Sequence, residues 1–329
     1  MGARARRGRL TPDAESTEVY VMTSAESSAR PQQYSRSRVI GAFVTVYIVW
    51  GSTYLAIRYA VRTMPPFFMA GTRFLASGVM LYGWSRFRGE RKPTMTQWRD
   101  ASVTGFLLLC CGNGAVAWAE QRVPSGLAAL LVAIVPLWVV VLDWFRPHGT
   151  RPRFRVVAGV IVGLLGLVVL VGPGTITGNT AVDGTAATVL IAGSLAWAAG
   201  SVYNRYASHA GSAVMSTGLQ MLAGSILLVI VGFVVGEPGT LHPAQISSAS
   251  WIGWLYLVTF GSLLGFTAYI YLLRAVSPAK ASTYAYVNPV VAVFLGWAVA
   301  GESVTVRTLV AAAIILGGVA MISLTEARA

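Results

Sequence analysis

Ten apolar runs, each close to twenty residues long and joined by short polar connections, decide what this chain can fold into. They lie at about 40–60, 67–86, 100–119, 125–145, 154–172, 184–206, 212–235, 251–273, 279–300 and 304–324. A helix of roughly 20 apolar residues spans the hydrocarbon core of a bilayer. Pro65-Pro66, Pro124, Pro173, Pro238 and Pro278 punctuate the ends of these runs, where helix breakers belong. Composition settles the solvent. The chain is 55% hydrophobic and only 11% charged, against about 25% charged in a soluble domain. The expected fold is therefore an all-α integral membrane protein with ten transmembrane helices. No connection is long enough to hold a sizeable soluble domain. Residues 1–38 are polar and are expected to be a disordered basic cytoplasmic tail, with Met22 as an alternative start.

The net charge of +13 would suggest a nucleic-acid partner in a soluble protein. Here the basic residues sit between apolar runs, which excludes that partner and makes them orientation signals. Of the 25 Lys and Arg, 20 fall on the side holding both termini. Arg62, Arg122 and Arg307 fall on the other, and Arg58 and Arg73 lie within runs. This places both termini in the cytoplasm and requires an even number of helices. Cys110 and Cys111 are adjacent in an apolar run and make neither a disulfide framework nor a ligand spacing.

A shift of 147 residues superposes part of the chain on itself. Trp50 meets Trp197, Arg58 meets Arg205, Tyr59 meets Tyr206, Gly71 meets Gly218, and Leu75-Ala76 meets Leu222-Ala223. Two halves, 39–173 and 184–324, would then hold five helices each. An odd number turns the second half upside down, the inverted repeat of many transporters, with a site near mid-membrane between the halves. Pro136 and Pro289 fall near mid-membrane in the fourth and ninth helices and should free the carbonyls of Val132 and Ala285. Gly159, Gly163 and Gly166, with Gly317-Gly318, suit close helix packing inside the bundle or, alternatively, a homodimer contact.

The candidate site is read from polar and aromatic groups inside apolar runs. Trp50, Tyr54 and Arg58 share one helical face. Trp50 and Trp197 lie nearer mid-span than an interfacial belt explains, and paired indoles suit an amphipathic or aromatic solute. Tyr284 and Asn288 flank Pro289 on one face, as a ligand-facing wall or a packed kink. Asn113, Ser201 and Tyr269 complete the expected substrate wall. Arg58, Arg73 and Glu120 are expected to form a polar cluster in the outer half, as an ion-pair clasp, an anion site or, through Glu120, a proton carrier. No phosphate-cradling loop, metal-ligand spacing or carboxylate cluster occurs. No enzyme, cofactor or metal is therefore expected.

W-G-S-T-Y at 50–54, P-P-F-F-M-A-G-T-R-F-L-A at 65–76, G-N-G at 112–114, A-E-Q at 119–121, V-P-S-G-L-A-A at 123–129 and S-P-A-K-A-S-T-Y-A-Y-V-N-P-V-V-A-V at 277–293 resemble the EamA-type drug/metabolite transporters, and among them the YedA-like exporters. The resemblance covers about 40–324. It implies two inverted five-helix repeats and an inner-membrane exporter of small metabolites or drugs. It also implies a central cavity formed mainly by helices 1, 3, 4, 6, 8 and 9. Gly301-Glu302 matches a family Gly-Glu, whereas the first half has Arg146-Pro-His-Gly-Thr where a glutamate is often found. Arg73 matches a family arginine, and its repeat partner is Gln220. The expected function is secondary-active export by alternating access, with a small-molecule substrate and the lipid bilayer as partners. An importer, a channel and a membrane-embedded transferase are the alternatives.

Overall fold

The computed structural model describes residues 35–145, 154–171, 183–281 and 283–326. All regular structure among them is helical. In chain order the long helices are α1 (Arg36–Ala60), α2 (Pro66–Phe87), α3 (Met95–Ala119), α4 (Ser125–Phe145), α5 (Phe154–Val171), α6 (Gly184–Tyr206), α7 (Ala213–Val234), α8 (Ser248–Ala275), α9 (Tyr284–Ala300) and α10 (Val306–Glu326). Among the described residues, 6 helices are long and apolar enough to cross a membrane: α1, α3, α4, α6, α7 and α8. Helix α1 starts at Arg36, inside the stretch expected to be tail. The rest of that tail to residue 34, and the basic connection at 146–153, lie outside the described residues. Ile48, Val79, Ile226, Phe233, Ile252, Leu255, Phe294 and Trp297 are all exposed, an apolar perimeter that only lipid can solvate.

Local signals start the helices. Pro66 occupies the first turn of α2, where its missing N–H costs nothing. Thr94 and Gln97 form a reciprocal capping box at α3, satisfying two orphan donors. Asp183, Ser212 and Ser247 cap α6, α7 and α8.

Helix α2 packs on α7, α4 on α9 and α5 on α10. Helix α1 lies against α8 and α9, and α6 lies against α3 and α4. The small-residue stripes serve the α5–α10 contact within the chain. A Cβ added to Gly318 would stand 2.6 Å from Gly163 N and 2.7 Å from Gly159 O, closer than any side chain tolerates.

The bundle has two ends. The tail end, where α1 begins, joins the 88–94, 207–212 and 276–283 connections through Gln97–His209, Glu90–Ser212 and Arg205–Val276 bonds. The far end gathers the 61–65, 120–124, 235–247 and 301–305 connections through bonds of Arg58, Thr63, Glu237 and Glu302.

Three helices widen locally into π-turns: Val46–Trp50 in α1, Phe106–Asn113 in α3 and Leu257–Phe266 in α8. Such turns commonly mark functional sites. The prolines act unequally. Helix α4 breaks at Ala133–Ile134, just before Pro136, whereas α9 runs unbroken through Pro289.

Candidate functional site

All three π-turns converge on an aromatic cluster at the centre of the bundle. Trp50 stands 5.5 Å from Trp197, 4.8 Å from Tyr269, 5.3 Å from Tyr284 and 5.4 Å from Phe266, ring centre to ring centre. Edge-on and tilted contacts of this kind favour the pairing of aromatic quadrupoles. Glycine makes the approach feasible. A Cβ on Gly265 would meet Trp50 Nε1 at 2.5 Å, and one on Gly112 would meet Trp197 Cε3 at 2.8 Å. The Trp50 indole donates to Gly261 O at 3.2 Å. The Trp197 indole N–H is buried with no acceptor in hydrogen-bond geometry; it meets the Tyr269 and Tyr284 phenols only loosely, so its desolvation is poorly compensated.

Above this cluster, on its far-end side, a cleft is lined by Trp50, Thr53, Tyr54 and Ile57 of α1, Arg73 of α2, and Gly112, Asn113 and Val116 of α3. Val132 of α4, Gly193, Ser194 and Trp197 of α6, and Tyr284 and Asn288 of α9 complete it. Its volume is about 50 Å³, well below the several hundred Å³ that enclose a drug-sized molecule. The cleft is thus nearly shut. A roomier recess of about 580 Å³ lies at the far end, lined by the 61–67 and 235–237 stretches with Trp118, Gln121 and His242. Its charged groups, Arg62 and Glu237, line an open recess, whereas Arg73 is buried between the aromatic walls of the central cleft.

Six of the eight expected wall residues line the cleft: Trp50, Tyr54, Asn113, Trp197, Tyr284 and Asn288. Ser201 and Tyr269 instead pair with each other behind the indoles, Oγ to OH at 2.7 Å. Asn288 also bridges helices. With its NH2 turned toward the carbonyls, it donates to Tyr47 O at 3.1 Å and Tyr284 O at 3.3 Å. One turn toward the tail end, Tyr47 OH bonds Thr283 Oγ1 at 2.8 Å, so α1 and α9 are tied there. Thr53 and Ser194 were absent from the expected wall. Each lies three or four residues from a site aromatic on the same helical face, a signal that spacing alone carries.

Of the expected cluster, Arg58 and Glu120 lie together at the far end, within electrostatic reach of each other, while Arg73 lies apart from them. Arg73 is 2% exposed and belongs to the cleft. Its Nε donates to Ser262 Oγ at 2.8 Å and an NH group to Asn113 Oδ1 at 3.5 Å. Among the described residues it makes no ion pair. Arg58 pairs instead with Glu302, Nε to Oε1 at 3.1 Å, and donates to Val123 O at 2.9 Å. Glu302 also accepts from Ser125 N and Oγ and from Gly126 N, so it caps the start of α4. Glu120 stays beside this pair without joining it. The cavity helices differ accordingly: α2 contributes Arg73, while α8 supports the cleft from behind through Gly261, Ser262 and Phe266. Among the described residues no group of side chains could hold a metal ion.

Comparison with known proteins agrees with this architecture. The model of the EamA-like transporter family matches twice, at residues 37–172 and 184–324. The inner membrane transporter YedA of Escherichia coli strain K12 is 40% identical over 288 residues, covering 87% of this chain and 90% of that protein. A chloroplastic WAT1-related protein of Arabidopsis thaliana is 25% identical, over 86% of this chain and 69% of its own length. The Bacillus subtilis transporter YoaV is 23% identical over 88% of this chain and 98% of its own. A solved crystal structure shares the fold with a TM-score of 0.62 at 21% identity, covering 90% of this chain and all of that one. The chain is a multi-pass membrane protein and belongs to the EamA-like transporter family.

Proposed function

We propose that this protein is a secondary-active transporter that exports small amphipathic organic solutes across the inner membrane by alternating access. The central cleft is its solute site, and both termini are cytoplasmic. One observation carries the reading. A nearly closed, aromatic-walled cleft between the two family-matched stretches holds a buried guanidinium with no counter-charge among the described residues and an indole N–H with no acceptor in hydrogen-bond geometry. Buried polar groups are normally satisfied, so these two are suited to a solute bearing an acceptor, a carboxylate above all. The aromatic walls suit its apolar part.

The inverted-repeat arrangement of ten spans is supported by the packing. Helices α2, α4 and α5 pack on their own counterparts α7, α9 and α10, while α1 packs on α8 as α6 packs on α3. That exchange pattern is what a two-fold axis between the halves produces. Rocking about it would open the cleft to one end while the other stays tied. A monomer suffices for this, since the glycine stripe of α5 is covered from within the chain by α10.

The test is a counterflow screen in proteoliposomes with labelled amino acids, sugars and cationic dyes. Exchange of a carboxylate-bearing amphipathic solute, lost in Trp50→Ala, is the expected result. Single-channel currents would favour a channel, and turnover of a lipid-linked donor a transferase. Net movement of solute only inward would reverse the direction.

A further inference from the structure

Glu120 follows directly on the last residue of α3 at the far end and is 2% exposed. Neither of its carboxylate oxygens has a donor in hydrogen-bond geometry; the backbone N–H of Arg58 acts on it only weakly, after burial and the Glu302 and Arg58 charges. A carboxylate buried without donors costs several kcal/mol to keep ionised, so such a group is paired or protonated. Its neighbours are already committed. Arg58 from α1 serves Glu302 and Val123 O. Glu302, from the turn after α9, is a like charge that acts on Glu120, as Arg58 acts with the opposite sign. The phenol of Tyr54 in α1 also feels the Glu120 charge. Arg122, on the same connection, stacks over Trp118 at 4.0 Å. From α6, Asp183 accepts from its own helix start. From α2, Arg73 is held at Ser262.

We infer that Glu120 is a proton-binding site, and that its proton is the ion exchanged against solute. The inference rests on the transport reading above. Arg58 follows Ile57, and Glu120 lies four residues beyond Val116, and both Ile57 and Val116 line the cleft. The shared guanidinium therefore sits within about one helical turn of the solute site. With Glu120 protonated, Arg58 stays on Glu302 and ties α1 to the α4–α9 junction. When the O–H bond breaks and the proton leaves, the bare carboxylate competes for Arg58 and draws it from Glu302. The tie loosens at the end through which solute leaves. Rebinding the proton restores it, and no other group changes its bonding.

The full chain in proteoliposomes tests this with two independent readouts. Infrared difference spectra between about pH 5 and about pH 9 should show a protonated-carboxyl band that is missing in Glu120→Gln. In Glu302→Gln the band should persist with its midpoint lowered by about one unit or more, since Arg58 is freed for Glu120. A pH gradient should drive solute accumulation in the wild type. Glu120→Gln should lose that accumulation while retaining solute counterflow, which also shows it folded. An unchanged band in Glu120→Gln, or accumulation at the wild-type level, would overturn the inference. Wild-type counterflow without any Glu120 band would sink the proton site and leave the transport reading standing. A Glu120 band in a protein that moves no solute would do the reverse.

Discussion

The two halves of the molecule solve one problem with the same residue and reach opposite electrostatic results. Glu90 follows α2 and Glu237 follows α7, at the same 147-residue offset as Trp50 and Trp197. Each reaches across to the other half's helix start. Glu237 accepts from Phe67 N at 2.8 Å and Phe68 N at 2.7 Å, at the start of α2. Glu90 accepts from Ser212 N at 2.9 Å and Ser212 Oγ at 2.7 Å, at the start of α7. Burial raises both carboxyls. At Glu237 it outweighs the two backbone bonds, so the group sits above its ordinary range. At Glu90 the two bonds from Ser212, with the Arg274 charge, outweigh burial, so it sits below. Topology repeats, but the local inventory of donors and cations does not, and titration follows the inventory.

The same divergence runs through the site. Gly112 admits Trp197 and Gly265 admits Trp50, so each half makes room for the other's indole. Yet of the two indoles only Trp50 has an acceptor in hydrogen-bond geometry. Arg73 stands in the cleft, while Gln220 at the equivalent place donates to Asn204 Oδ1 at 2.8 Å, buried toward the tail end. On the proposed reading, one half is specialised for a ligand and the other for packing.

The sharpest way to break this contrast is to swap its chemistry. Arg73→Gln should lower counterflow by about 10- to 100-fold, the worth of a charge-assisted hydrogen bond. Gln220→Ala should stay within about twofold of wild type in the same assay. Equal losses would abolish the functional asymmetry. The indole sockets should behave alike. Gly265→Ala and Gly112→Ala each overpack the cluster and should cost about 1–3 kcal/mol, read as lowered thermal stability in detergent, with transport impaired in both.

The smallest effects belong to the two caps. The depressed Glu90 contributes stability fully above the ordinary carboxylate value of about 4.3, lost as pH falls through its folded value. Glu90→Gln should therefore cost about 1 kcal/mol near neutrality and nothing in acid. The raised Glu237 contributes fully below about 4.3, and that contribution is lost as pH rises through its folded value. Glu237→Gln, a neutral mimic, should match or exceed wild-type stability near neutrality. Melting curves across pH check both, and parallel pH profiles would refute the electrostatic contrast.

The spans and the indole pair were legible because apolar length and misplaced aromatic groups are one-dimensional signals. Helix facing is not. Arg58 and Glu302 meet only because α1 and α9 pack, and no spacing along the chain announces that. Arg73 lies too deep to reach Glu120, a depth that helical period alone does not separate from the outer half. The Glu90–Glu237 pair was within reach, since the offset that revealed Trp50 and Trp197 also links them. The π-turns leave no pattern in residue type.

The central claim is that one cleft serves both faces of the membrane in turn, and side-resolved labelling tests it most directly. Thr53→Cys, in a background with Cys110 and Cys111 replaced by alanine, would be exposed to a membrane-impermeant thiol reagent from each face of sealed vesicles. The account predicts reaction from both faces, slowed from both by transported solute. Reaction from one face only, unaffected by solute, would contradict it.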